Sequence, residues 1–137
     1  MPDQCKPANY RTLNEATRSI NNSVREFYCD ATSSNFAKYK SPSWKGPGWY
    51  KFANPAGTKM ATKPPPVNTC GAHATRWMST EPPSDIGQTK SVKFCFNWAG
   101  NSCKWNIFGE VTKCGEGDFV YKLSNAPTCY LRYCAVP

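Results

Sequence analysis

The chain has one histidine, His73, in Cys70-Gly71-Ala72-His73-Ala74-Thr75. A hydroxyl or thiol nucleophile needs a base beside it, and imidazole is the usual one. Nothing around His73 resembles a triad or a nucleophile elbow, so a structural or exposed role is expected for it. Paired carboxylates are the other route to hydrolysis. The acids are few, and Glu81 with Asp85 and Glu116 with Asp118 each fall in a Pro- or Gly-rich turn. Acids in such turns accept from local backbone donors, and no environment that would raise a carboxyl pKa is legible around them. The same acids are too sparse for a calcium cage of oxygens, and no glycine loop suited to a phosphate is present. We expect no catalytic residue, no metal and no cofactor.

Eight cysteines remain: Cys5, Cys29, Cys70, Cys95, Cys103, Cys114, Cys129 and Cys134. Their number is even and their spacing irregular, without the close pairs and additional histidines of a zinc site, which is the pattern of a disulfide framework. If all are bridged, no thiolate is left as a nucleophile. Disulfides persist outside the reducing cytosol, so the chain is expected to be secreted and extracellular. Each bridge contributes on the order of 2–4 kcal/mol in the chain-entropy account. That supplement is needed, because only 39% of the 137 residues are apolar while 9 are Gly and 12 are Pro. One domain, residues 1–137, is expected. No run is long enough for a transmembrane helix, and no apolar signal segment follows Met1.

The formal charge is +8, and it is unevenly placed. From Ala31 to Thr80 there is no Asp or Glu, while Lys38, Lys40, Lys45, Lys51, Lys59, Lys63 and Arg76 fall there among Phe36, Tyr39, Trp44, Trp49, Tyr50, Phe52 and Trp77. Cations interleaved with rings suit either a solvated face or a surface that attracts a polyanionic glycan. Nucleic acid is not expected, because the compartment is wrong and there is no arginine cluster or groove-reading helix.

The elements that must carry these residues are short. Leu13, Ala16 and Ile20 have helical spacing, so one helix is expected between Tyr10 and Ser23. Residues 31–47 read as a basic surface loop. Trp49, Tyr50 and Phe52 form an aromatic strand, and Pro64-Pro65-Pro66 an extended surface connector. Strands are expected over Ser91–Trp98, Lys104–Val111, Asp118–Leu123 and Thr128–Tyr133, punctuated by glycine-rich turns. The fold class is mainly β: a small disulfide-rich domain of short antiparallel strands with one short N-terminal helix. Trp49, Trp77, Trp98 and Trp105 are expected to pack in the core against disulfides, and Trp44, in the polar loop, to be exposed.

Several runs carry a resemblance. Gly48-Trp49-Tyr50-Lys51-Phe52, Ala56-Gly57-Thr58-Lys59-Met60, Cys70-Gly71, Arg76-Trp77, Cys95-Phe96-Asn97-Trp98, Cys103-Lys104-Trp105 and Phe119-Val120-Tyr121-Lys122-Leu123 appear in order, closing with Pro127-Thr128-Cys129-Tyr130-Leu131-Arg132-Tyr133-Cys134. Upstream, Tyr10-Arg11-Thr12-Leu13, Arg18, Asn21-Asn22 and Tyr28-Cys29-Asp30 continue it. Together they resemble the eight-cysteine domain of the uromodulin and pancreatic zymogen-granule glycoprotein family over almost the whole chain. The 31–47 segment departs from it as a longer basic insertion. Cysteine arithmetic alone leaves roughly a hundred connectivities; the resemblance implies Cys5–Cys114, Cys29–Cys129, Cys70–Cys134 and Cys95–Cys103.

The resemblance also implies a non-enzymatic recognition or glycan-presenting module of a secreted glycoprotein, whose N-glycans meet glycan-binding partners such as fimbrial adhesins. Asn21-Asn22-Ser23 is an acceptor tripeptide, making Asn21 the expected attachment site. Asn68-Thr69-Cys70 and Asn101-Ser102-Cys103 are cysteine-type acceptors, not expected to be used once the cysteine is oxidised. The alternative is a free-standing cationic, lectin-like defence protein that itself binds carbohydrate, with Lys38, Lys40, Trp44 and Lys45 as the contact surface.

Overall fold

Val92, Phe94 and Phe96 alternate with Lys93, Cys95 and Asn97, and that period of two buries one side of a strand at the middle of the structure. The computed structural model describes residues 1–20, 28–30, 40–66, 69–70, 72, 74–125 and 131–137. Among them lie nine strands: β1 (Arg11–Leu13), β2 (Gly48–Phe52), β3 (Lys59–Met60), β4 (Ala74–Met78), β5 (Thr89–Trp98), β6 (Asn101–Gly115), β7 (Asp118–Leu123), β8 (Leu131–Tyr133) and β9 (Ala135–Val136). Seven form one sheet in the order β1-β2-β7-β6-β5-β4-β8, and β3 pairs with β9 beside it. The fold is mainly β.

The β5–β6 hairpin turns through Ala99-Gly100, with Trp98 opposite Asn101. Both turn residues have positive φ, 53° and 78°, the two-residue geometry whose twist matches that of its strands. Gly109 in β6 is required by contact: a Cβ there would stand 2.5 Å from the Lys122 carbonyl oxygen and 2.6 Å from the Phe94 ring. Pairing is antiparallel through β2-β7-β6-β5-β4, while the outermost strands, β1 and β8, join in parallel.

Three bridges staple these elements, Cys5–Cys114, Cys70–Cys134 and Cys95–Cys103. Cys29 is also disulfide-bonded, and Cys129 lies outside the described residues. Pro64 and Pro66 are exposed as a connector would be, but Pro65 is buried. Its carbonyl accepts from Thr75 Oγ1 at 2.8 Å and Asn97 Nδ2 at 2.7 Å.

Two expectations are corrected. No helix begins at Tyr10: Arg11–Leu13 is a strand beside Tyr50–Phe52, and Ala16–Arg18 makes one 3₁₀ turn. The helical spacing is incidental, because Leu13 enters the main core while Ile20 packs on a different cluster around Cys70, Cys134 and Ala61. Thr12, Asn14 and Thr17 are weak helix formers and offer little resistance to that tertiary pull. The second correction is Trp44, which is fully buried rather than exposed. Its indole stacks on Tyr50 at 4.8 Å and on Tyr133 at 5.9 Å, and its Nε1 donates to Asn125 Oδ1 at 2.9 Å. Trp49, Trp77, Trp98 and Trp105 are only partly buried.

The polar composition around Trp44 concealed this because main-chain groups, which every residue type carries, hold the turn. Ser41 N–H donates to the Cys29 carbonyl, Trp44 N–H to the Ser41 carbonyl, and Lys45 N–H to the Tyr50 hydroxyl, which in turn donates to the Gly46 carbonyl. The segment is a plug closing one end of the core. Trp44→Ala should therefore cost about 3–5 kcal/mol, while Lys45→Ala should stay within about 0.5 kcal/mol. Urea denaturation of the oxidised protein measures both; equal costs would contradict the burial of Trp44.

Candidate functional site

The residues leading into Asn21 are the best-anchored part of the N-terminal segment. Ser19 bridges to Ala135 of β9, and Ile20 N–H donates to the Ala135 carbonyl at 3.1 Å. One residue earlier, the Arg18 guanidinium is fully buried. It meets Asp30 in a forked pair, Nη1 to Oδ2 at 2.7 Å and Nη2 to Oδ1 at 2.9 Å, and its Nε donates to Glu15 Oε1 at 3.1 Å. The pair also completes β8: Tyr133 N–H donates to Asp30 Oδ2 at 2.8 Å, and Arg18 Nη1 donates to the Tyr133 carbonyl at 3.0 Å. A guanidinium and a carboxylate thus occupy hydrogen-bonding positions that a neighbouring strand would otherwise fill.

Further charges converge there. Glu15 accepts the Ser43 N–H at 2.8 Å and faces Arg132 Nη2 at 3.6 Å. Arg132, buried, donates from Nη1 to Thr17 Oγ1 and to the Cys70 carbonyl. Burial raises the carboxyl pKa of Glu15, but Arg18 and Arg132 outweigh it and hold the group down to about 2. Burial likewise opposes ionisation of Asp30, and the charge and hydrogen bonds of Arg18 prevail, leaving it below the usual carboxylate range. Burial dominates for Arg132 and lowers it to about 9, with Arg18 acting in the same direction. Arg76 is buried between two rings, 4.1 Å from the Phe96 centroid and 3.8 Å from that of Tyr133.

The residues expected to do chemistry or binding are dispersed. Asn21, Lys38 and His73 lie outside the described residues. Lys40 turns inward, its Nζ donating to the carbonyls of Trp44 and Ser41. Lys45 is exposed, Trp44 is interior, and no surface unites the two. Of the other cations in the acid-free stretch, Lys51 pairs with Asp118 at 2.6 Å and Arg76 is buried, which leaves Lys59 and Lys63 exposed. Glu116 pairs with Lys113, while Glu81 and Asp85 sit exposed. Among the described residues no three His, Cys, Asp or Glu side chains are grouped to hold a metal, and no helix is long and apolar enough to cross a membrane.

Residue-type reasoning missed Glu15, Arg18, Asp30, Arg76 and Arg132 as interior groups, because charged residues are normally assigned to the surface. A signal was present in their company. Asp30 adjoins Cys29, Arg132 is two residues from Cys134, and both belong to the runs carrying the family resemblance.

Both acidic groups are held below their ordinary values, so their contribution to stability is complete above the ordinary carboxylate range and lost as they protonate. Stability should fall as pH drops from about 4.5 toward about 2, the interval that Glu15 spans. Asp30→Asn should cost about 3–5 kcal/mol at neutral pH by removing the charge of the forked pair and leaving buried Arg18 only the Glu15 carboxylate at Nε, and should flatten the acid limb. Denaturation midpoints across that range test this; an unchanged acid limb in the variant would be the contrary result.

Known proteins match the chain over most of its length. The family of the uromodulin-like eight-cysteine domain matches residues 50–135. Human pancreatic secretory granule membrane major glycoprotein GP2 is 35% identical over 136 residues, covering 98% of this chain and 22% of that protein. Mouse uromodulin is 32% identical over 128 residues, covering 93% of this chain and 18% of that protein. Rat GP2 is 33% identical over 138 residues, covering 98% of this chain and 23% of that protein. The chain thus spans about a fifth of the length of the relatives it matches. With a family match over more than half its length and relatives aligned to nearly all of it, the chain belongs to the uromodulin-like eight-cysteine domain family.

Proposed function

We propose that the protein is a non-enzymatic extracellular module of a secreted glycoprotein, presenting an N-linked glycan on Asn21 to a glycan-reading partner. The observation that carries this reading is the anchoring of the chain immediately before the acceptor tripeptide. Ser19 and Ile20 are tied to β9, and Arg18 to Asp30 and Tyr133. A glycan attached at the next residue would follow directly on this anchored segment, and a short tether lowers the entropy a partner must overcome on binding. Membership of a family whose relatives are named as glycoproteins supports the same reading. So does the dispersal of the candidate acids among lysine pairs and exposed turns.

The second reading, a cationic carbohydrate-binding effector using Lys38, Lys40, Trp44 and Lys45, loses its stacking ring to the core and Lys40 to the Trp44 turn. We therefore favour presentation. The Cys29–Cys129 pairing belongs to the same proposal, and peptide mapping without reduction reads it directly.

Mass spectrometry of protein made in a eukaryotic secretory pathway should show Asn21 occupied. A mannose-reading adhesin should bind that material, and Asn21→Gln should abolish binding while leaving the denaturation midpoint unchanged. An unoccupied Asn21, or full adhesin binding by the variant, would overturn the reading.

A further inference from the structure

The solvent side of the main sheet carries a feature that glycan presentation does not use. Trp49 pairs with Lys122, Lys122 with Glu110, and Glu110 with Ser91. Directly paired residues of antiparallel strands share a face, so these four side chains form one row across β2, β7, β6 and β5. Phe108, two residues before Glu110, lies on the same face. It is 69% exposed, the only aromatic ring so exposed among the described residues. Large apolar side chains are normally buried first, and this domain buries Trp44, Tyr50, Phe52, Phe94 and Phe96, so a phenylalanine left in solvent at mid-sheet is unusual.

Two cavities adjoin along this face. One, of about 370 Å³, is bounded by Phe108, Glu110, Lys122 and Ser91. The other, of about 270 Å³, is bounded by Tyr10, Arg11 and Trp49. Pro47 and Gly48 form the wall they share. Each cavity therefore has an aromatic side chain, and each has side chains able to exchange hydrogen bonds with hydroxyl groups. Glu110 and Lys122 stand 3.9 Å apart, both part-exposed, offering an acceptor and a donor side by side. Vicinal hydroxyls of a pyranose present the complementary pair, and the apolar face of the ring suits an aromatic surface.

We propose that this face is a carbohydrate-binding site for an uncharged oligosaccharide, with one sugar on Phe108 beside the Glu110–Lys122 pair and the next in the cavity beside Trp49. The occupant is set by charge. Lys122 is compensated by Glu110, and Lys51, next but one to Trp49 on β2, by Asp118 at 2.6 Å, while the Arg11 guanidinium of the second cavity donates to the Lys45 carbonyl at 3.0 Å. A polyanion charged at every unit would meet the Glu110 carboxylate in the first cavity. This inference is independent of whether Asn21 carries a glycan.

The test is a glycan array of neutral and sulfated oligosaccharides, followed by titration calorimetry with the neutral glycan giving the strongest signal and with heparin. At least one neutral oligosaccharide should bind, with an affinity unchanged as NaCl rises from about 0.1 to about 0.5 M. Phe108→Ala should weaken that binding at least about fivefold, the scale of one lost aromatic contact, without shifting the denaturation midpoint, and Glu110→Gln should weaken it too. Absence of any neutral binder, binding confined to heparin and lost with salt, or full binding by Phe108→Ala would each overturn the proposal.

Discussion

The Arg18–Asp30 pair is the interaction on which the rest of the structure depends, because it closes a sheet that would otherwise end in unpaired backbone groups. The strand it closes, β8, is three residues long and, among the described residues, pairs with β4 on one side only. The ion pair supplies the other side with a donor and an acceptor at Tyr133. It also joins distant stretches of chain, since Asp30 follows Cys29, Arg18 precedes the residues held by β9, and Tyr133 precedes Cys134. Buried ion pairs seldom add net stability over well-packed apolar residues, since desolvation offsets most of the attraction. What this one adds is geometry: a forked guanidinium and a carboxylate fit one arrangement of strand, turn and loop.

The remaining buried cations are accommodated by different means. Arg132 is held by Thr17, the Cys70 carbonyl and the partly buried Glu15, while Arg76 lies between the faces of Phe96 and Tyr133, where the negative ring surfaces stand in for a counter-ion. Tyr133 is common to several of these contacts. It stacks with Trp44, meets Phe94 edge-on, covers Arg76 and exchanges hydrogen bonds with Ser124, donating from its hydroxyl to the carbonyl and accepting from the N–H. Aromatic and ionic packing are one connected arrangement here, which is how a chain of modest apolar content closes its core.

The elements that were legible in the sequence were those governed by local pattern. Val92, Phe94 and Phe96 announced β5, and Asp118–Leu123 has the bounds expected from the turn signals on either side, Gly115-Glu116-Gly117 before it and Asn125-Ala126-Pro127 after it. The N-terminal segment misled because Leu13 and Ile20 answer to two different clusters rather than to one helix face. Trp44 misled because its exposure was inferred from its neighbours' polarity, whereas the turn around it is held by main-chain groups and the Tyr50 hydroxyl. The interior arginines were illegible for a related reason: what makes them tolerable is a partner distant in sequence, such as Tyr133 for Arg18. Likewise, Phe108 and Trp49 are far apart in the chain and come to share one face only through the registers of β2, β7 and β6.

The strand order has a consequence for how the chain reaches this state. The centre of the sheet, β5-β6-β7, is a meander of sequence neighbours joined by short turns, able to form early from local contacts. Both edges come from elsewhere: β1 must pair with β2 more than thirty residues downstream, and β8 must cross to β4, each in parallel. Loop-closure entropy delays such pairings until the centre exists to receive them. Until then Cys5 is far from Cys114 and Cys70 from Cys134, while Cys95 and Cys103 sit in the same hairpin. Oxidative folding should therefore run outward from the hairpin, and the edge-capping arginine is among the last groups to leave water.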